Sequence, residues 1–157
     1  MQTFLPFPEF EKSLHALDYR RLGKQRVEAK QLLKALRAYP MGHIADPEER
    51  RKYVKADINK GWINHPAAKM WLGYEQALAV YHNEAILAWE NRGYKNTMPL
   101  IPTTGYIPMP PWLGDPSFHQ AHRSNLIRKM PDYYRDQLGW TDPDDLEYIW
   151  PTSEVAA

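Results

Sequence analysis

The sequence has no cysteine. That single absence removes disulfide bonds, thiolate metal centres and cysteine nucleophiles together, and it suits a reducing cytoplasm. No stretch approaches the roughly eighteen consecutive apolar residues that a membrane-spanning helix needs. The opening MQTFLPFPEFEK lacks both a basic n-region and an uninterrupted apolar segment, so the expectation is a cytoplasmic protein with no membrane partner. Also missing are an internal repeat, a second domain and any alternating strand pattern of useful length. The formal net charge is only +1. A small net charge excludes little, because the placement of the charges decides what a surface attracts.

What is present is a chain of 157 residues, 43% hydrophobic and 13% aromatic, long enough to bury a real core. The expectation is mainly α: a single compact helical domain over 1–157 with a long proline-rich loop, its residues 136–157 forming an acidic, turn-rich tail. Pro6 and Pro8 keep the first eight residues extended. Glu9 to Ala38 then reads as one long helix, or two broken near Gly23. Asp46-Pro47-Glu48-Glu49 caps a short helix through Lys55. A further helix opens near Asn64, His65 and Pro66 and runs through Trp71, Tyr74, Tyr81 and Trp89, taken as core, to Gly93. Thr97 to Trp112 holds five prolines and is a loop. Pro116 to about Arg128 forms the last helix.

The charges are segregated. Between Arg20 and Arg37 stand seven Lys or Arg against one Glu, and after Arg135 there is neither Lys nor Arg. On a helical wheel, Asp18, Arg21, Gln25 and Glu28 share one flank of the apolar stripe made by Leu22, Ala29, Leu32, Leu33 and Leu36. Burying charge costs several kcal/mol unless it is paired, so this flank is either an internally paired network or a site. As a site it offers Glu28 or Asp18 as acid/base and Arg21 as anion contact. Arg20, Lys24, Arg26 and Lys30 project outward, as phosphate contacts would.

A second constellation is HQAHRSNLIRK. His119 and His122 sit at i, i+3, with Arg123, Ser124 and Arg128 behind them, as hydrogen-bond donors to phosphate and base edges or as ordinary surface residues. No third ligand accompanies the two imidazoles, so no metal is expected, and nothing calls for a cofactor. His65 and Lys69 stand at a helix start that favours an anion. Trp112 and Tyr133 or Tyr134, beside cations, offer rings on which bases can stack.

The blocks MQTFLPFPEF, LDYRRLGKQRVEAKQ, GWINHPAAKMWLGYE, PPWLGDPSFHQAHRSNLIRK and YIWP resemble, in this order, a group of short bacterial and phage proteins placed beside the pyrimidine dimer DNA glycosylases of the endonuclease V type. The resemblance implies an all-α domain that bends DNA, flips a nucleotide and cleaves the N-glycosidic bond with its own terminal α-amine, through an imine, before β-elimination. An α-amine pKa near 8 leaves a useful neutral fraction for that attack. By this resemblance His15 and Arg20 contact DNA. Arg21 stands where the repair enzymes carry their catalytic Glu, and Glu28, two turns on, is the replacement. Gln2 is too bulky for removal of the initiator, which leaves Met1 as the nucleophile.

The resulting expectation is a glycosylase/lyase on a damaged or modified pyrimidine, with Met1, Glu28 and Arg21 catalytic and DNA as partner; no obligate protein partner is legible. DNA contacts fall to His15, Asp18, Arg20, Lys24, Gln25, His65, Lys69, Trp112, His119, His122, Arg123, Ser124 and Arg128. The rivals are a non-catalytic nucleic-acid-binding or phage-host interaction protein on the same scaffold, and an enzyme of free nucleotides. Several phosphate contacts make affinity fall steeply with salt, which separates DNA binding from the last of these.

Overall fold

Asp18 decides where the first helical run divides. In the computed structural model, which describes residues 2–36, 65–103 and 105–151, α1 spans Phe10–Ala16 and α2 spans Tyr19–Ala35. Leu17 and Asp18 between them are extended, and the Asp18 carboxylate caps α2 by accepting from the Arg21 amide at 3.3 Å. The break expected near Gly23 therefore lies five residues earlier. Gly23 continues the helix for a packing reason: a Cβ there would sit 3.0 Å from the Trp89 ring.

The segment after His65 also divides. Pro66–Trp71 forms α3, capped by the His65 ring, and Glu75–Asn91 forms α4. Gly73, at φ +88°, turns the chain between them into the left-handed region that other residues avoid. One continuous helix was expected here, and periodicity alone did not expose the glycine as a stop. Asp115 caps α5, Pro116–Lys129, and a π-helical turn follows at Asp132–Gln137. The helix expected at 47–55 lies outside the described residues.

The architecture is helical. The apolar face of α2 packs along α4, which also receives α1; α3 touches α2, and the π-helical turn docks on α5. Leu22, Ala29, Leu32 and Leu33 join Trp71, Leu78, Tyr81, Phe118 and Tyr134 in one core cluster. The proline-rich loop is held to it by Asn83, which donates to Ile101 O and accepts from Ile101 N–H, both at 2.8 Å. Among the described residues no helix is long and apolar enough to cross a membrane.

What positions the site is the extended segment 2–7. It is threaded into the helices, with Thr3, Phe4, Leu5 and Pro6 buried. A buried backbone must satisfy its N–H and C=O groups, and this one does so through side chains. Phe4 N–H donates to Gln25 Oε1 at 2.9 Å, and Gln25 Nε2 donates to Gln2 O at 3.1 Å. Leu5 N–H donates to His122 Nδ1 at 2.8 Å, while His119 Nδ1 lies 2.8 Å from Leu5 O. Arg123 donates to Pro6 O at 2.8 Å, and the Ser13 hydroxyl both accepts from Phe7 N–H and donates to Phe7 O. The Trp71 indole adds a bond to the Thr3 hydroxyl at 3.0 Å.

Candidate active site

Gln25 is the hinge of the site. Its position is one face of α2, and its amide can point only one way, because the Phe4 N–H can only donate and so must meet Oε1. The Tyr81 hydroxyl lies 2.5 Å from the same Oε1 and 2.8 Å from Phe4 O, sharing one proton between two acceptors. Nε2 is thereby turned toward Gln2 O and, at 3.2 Å, toward Glu28 Oε2. The Gln2 amide reaches that same carboxylate oxygen at 3.4 Å. Thread and helix meet at Glu28.

Burial raises the Glu28 pKa above the ordinary carboxylate range, although the Gln2 amide, Lys24 and Gln25 pull the other way. The half-buried carboxylate also acts on two phenols, Tyr81 and Tyr148, whose own burial is the larger reason that both resist ionisation. The Tyr148 hydroxyl is buried and has no hydrogen-bond partner among the described residues. An orphaned buried hydroxyl costs stability, and such a group calls for a specific explanation. The Tyr148 ring stacks on Trp150 at 5.0 Å and 19°, and Trp150 meets the His65 ring at 5.8 Å.

Cations rim this centre. The Lys129 pKa is lowered first by burial and then by Arg21, Arg128 and Lys24, with Glu28 opposing them. These three basic residues, drawn from α2 and α5, thus share one electrostatic neighbourhood with Lys129 and Glu28. Arg21 is steadied by Asp18 at 3.1 Å. Lys24 is exposed.

Other residues expected to contact DNA have different partners. His119 and His122 are buried, and the two imidazoles clamp the N–H and C=O of one residue, Leu5. His119 Nε2 also accepts from Gly114 N–H at 2.9 Å, so both its ring nitrogens are engaged. Arg123 pairs with Asp142 at 3.0 Å, Ser124 accepts from Leu146 N–H, and Arg128 donates to Asp144 O and Leu146 O and to the Asn125 side chain. The acidic tail, through these bonds, is fastened along α5. Trp112 is buried and donates to Met70 O at 2.9 Å, a core role.

Asp18 is buried as well. Burial works to raise its pKa, but the Tyr134 hydroxyl at 2.5 Å and Arg21 outweigh that and hold it below the ordinary value. His65 caps α3 through Nδ1, which accepts from Ala67 N–H at 3.0 Å, and burial lowers its pKa. Lys69 is exposed near the end of α3. Arg20 is exposed with its Nε 3.2 Å from the Tyr19 hydroxyl, and His15 is exposed on α1, where it acts on Glu84 rather than on Glu28. Met1 lies outside the described residues.

Helices, thread and a carboxylate beside the chain's beginning are the frame in which a family match becomes informative. The family model described as pyrimidine dimer DNA glycosylase matches residues 1–102. The chain belongs to that family. No curated protein and no solved structure matches it. In this member of the pyrimidine dimer DNA glycosylase family the matched part carries the thread, α1 to α4, Gln25 and Glu28. Residues beyond the match, His119, His122, Lys129 and Tyr148, complete the thread's partners and the rim of the centre.

Sequence reasoning missed Gln2, Lys129 and Tyr148 as members of this centre, and took Tyr81 as core only. Lys129 continues the Arg123, Arg128 run on α5 and was available to a charge argument. Tyr148 opens the YIWP block, but nothing local ties it to Glu28, which is distant in sequence.

Proposed function

We propose that this chain is a DNA N-glycosylase that removes a damaged or modified pyrimidine and then cleaves the abasic site by β-elimination. The observation that carries the reading is the Gln2 amide held 3.4 Å from Glu28 Oε2. It supports Glu28 as the acid/base group at the end of the thread, next to the main chain of Gln2. Met1 supplies the nucleophile, Glu28 the acid/base group, and Arg21 with Lys24, Arg128 and Lys129 the charge for the flanking phosphates.

The chemistry suits these groups. A neutral amine attacks C1′, the N-glycosidic bond breaks, and the base leaves with the bonding pair and takes up a proton. The amine loses its protons as the sugar ring opens and an imine forms. Removal of a C2′ proton then expels the 3′ phosphate. Glu28, with its pKa raised by burial, is suited to donating a proton to the sugar ring oxygen and to accepting the C2′ proton afterwards. The cationic rim favours phosphate binding and discourages protonation of the amine. The Tyr148 hydroxyl, without a partner of its own, is a donor for an oxygen of the bound nucleotide.

Borohydride trapping on oligonucleotides bearing an abasic site or a pyrimidine dimer tests this. The expected product is a covalent adduct mapped by mass spectrometry to the first peptide, with E28Q retaining binding and losing turnover. Base release without an adduct would replace the imine route by direct hydrolysis. Salt-sensitive binding with neither adduct nor base release would leave a binding protein and overturn the enzymatic reading.

A further inference from the structure

Tyr81 reaches the centre from α4 and is fully buried. Its hydroxyl lies 2.5 Å from Gln25 Oε1 and 2.8 Å from Phe4 O, so it joins α4 to α2 and to the thread at one point. The proposed chemistry makes no use of it. A phenylalanine ring would fill the same space, so packing alone does not call for the hydroxyl.

The Gln25 amide passes that contact on. Oε1 has two lone pairs, and the Phe4 N–H and the Tyr81 hydroxyl take both. Nε2 has two hydrogens, and Gln2 O and Glu28 Oε2 take both. The Phe4 N–H fixes which end of the amide is oxygen, and the hydroxyl adds a second, shorter bond that restrains its swing.

The two oxygens of Glu28 are thereby made unequal. Oε2 receives Gln25 Nε2–H at 3.2 Å and the Gln2 amide at 3.4 Å, while Oε1 receives nothing among the described residues. An oxygen that already accepts N–H groups is the poorer place for a proton, so a protonated Glu28 carries it on Oε1. Of the titratable side chains around it, Lys24 and Lys129 are cations, and Tyr81 and Tyr148 are phenols whose burial resists ionisation. Neither phenol releases a proton in competition with Glu28.

We propose that Tyr81 is a positioning residue for the acid/base step, acting through Gln25 to hold Glu28 Oε2 to the protein and to leave Oε1 as the oxygen that gives and takes the proton. This deepens the glycosylase reading and rests on it. Oε1 gives its proton to the sugar ring oxygen and recovers one from C2′, while Tyr81 and Gln25 keep theirs.

The test compares the full wild-type chain with Y81F by two measurements. Carboxyl carbon-13 NMR, with the Glu28 signal assigned through E28Q, follows Glu28 in the free protein. Turnover on DNA duplexes bearing a pyrimidine dimer or an abasic site gives kcat and KM. In Y81F the Glu28 titration midpoint should rise by about half a pH unit as the Gln25 donor loosens. The kcat should fall about tenfold with KM unchanged, and the limb of the pH–rate profile set by Glu28 should move with the midpoint. Q25E keeps an acceptor for Phe4 and Tyr81 but puts a carboxyl group in place of the donor, and should raise the midpoint by about one pH unit. A fall in kcat with an unmoved midpoint and pH limb would give Tyr81 a packing role and overturn the proposal. An unmoved midpoint in folded Q25E, or a Y81F variant with wild-type kcat, overturns it as well and leaves the glycosylase reading standing. A wild type that turns over neither duplex overturns the glycosylase reading and the positioning role together.

Discussion

Segment 2–7 and helix α4 are both largely buried, yet they solve the problem of a buried backbone in opposite ways. In α4 the chain bonds to itself, so its side chains are free to be apolar, and Ala77, Leu78, Ala85, Ile86 and Ala88 are. Segment 2–7 has no repeating bonds of its own and borrows Gln25, His119, His122, Arg123 and Ser13 from elsewhere. Polar residues inside the helices are therefore the complement of an extended segment lying between them. A helix tolerates loss of one side chain, whereas the thread loses a main-chain partner.

Acid should expose that difference most. Leu5 N–H needs an unprotonated His122 Nδ1, and burial holds the His122 pKa down from 6.5 to about 3. Between those values the unfolded chain binds a proton that the native chain refuses. Stability is thus complete above pH 6.5 and falls as the pH drops toward 3, by up to ~5 kcal/mol from this residue. His119, also lowered by burial, adds to the slope. Urea midpoints measured across this window should decline with acid, and H122N should flatten the decline. An unchanged slope in H122N would remove His122 from the clamp.

Gln25→Ala should cost ~3 kcal/mol, because the buried Phe4 N–H and the part-buried Gln2 C=O both lose their partner. Leu87→Ala on the half-exposed side of α4 should stay within ~0.5 kcal/mol. Equal denaturation midpoints for the two variants would abolish the contrast. Gly23→Ala sharpens it: alanine favours a helix by ~1 kcal/mol over glycine, yet its Cβ meets the Trp89 ring at 3.0 Å. A net loss of ~1 kcal/mol with shifted tryptophan emission is expected, and a rise in Tm would mean that the ring gives way freely. The smallest effect has the opposite sign. Tyr148→Phe removes a buried hydroxyl that has no partner, so stability should rise by up to ~1 kcal/mol while base release slows. A stability loss in that variant would show that the hydroxyl is bonded in solution.

The sequence made α2 legible through its apolar stripe, and the flank Asp18, Arg21, Gln25, Glu28 was visible as something too polar to bury alone. Of the two alternatives offered for it, the paired network is what the hydrogen bonds of Asp18 and Gln25 show. Asp18 and Gln25 belong to an internally paired network, while Glu28 stands at its end with burial opposing its charge. The HxxH pair was read as facing a ligand, and it faces the main chain. Spacing at i, i+3 puts two imidazoles on one side of a helix and is silent about what lies across from them.

Local physics written along the chain settled the helices, the proline loop and several caps: Pro116 and Pro66 open helices, Gly93 ends one, and apolar spacing sets which faces go inward. Tertiary structure alone decided which polar residues serve the backbone and which surround Glu28. The reason is reach. Leu5 and His122 are 117 positions apart and Gln2 and Glu28 are 26 apart, so their partnership exists only once the helices have closed around the thread.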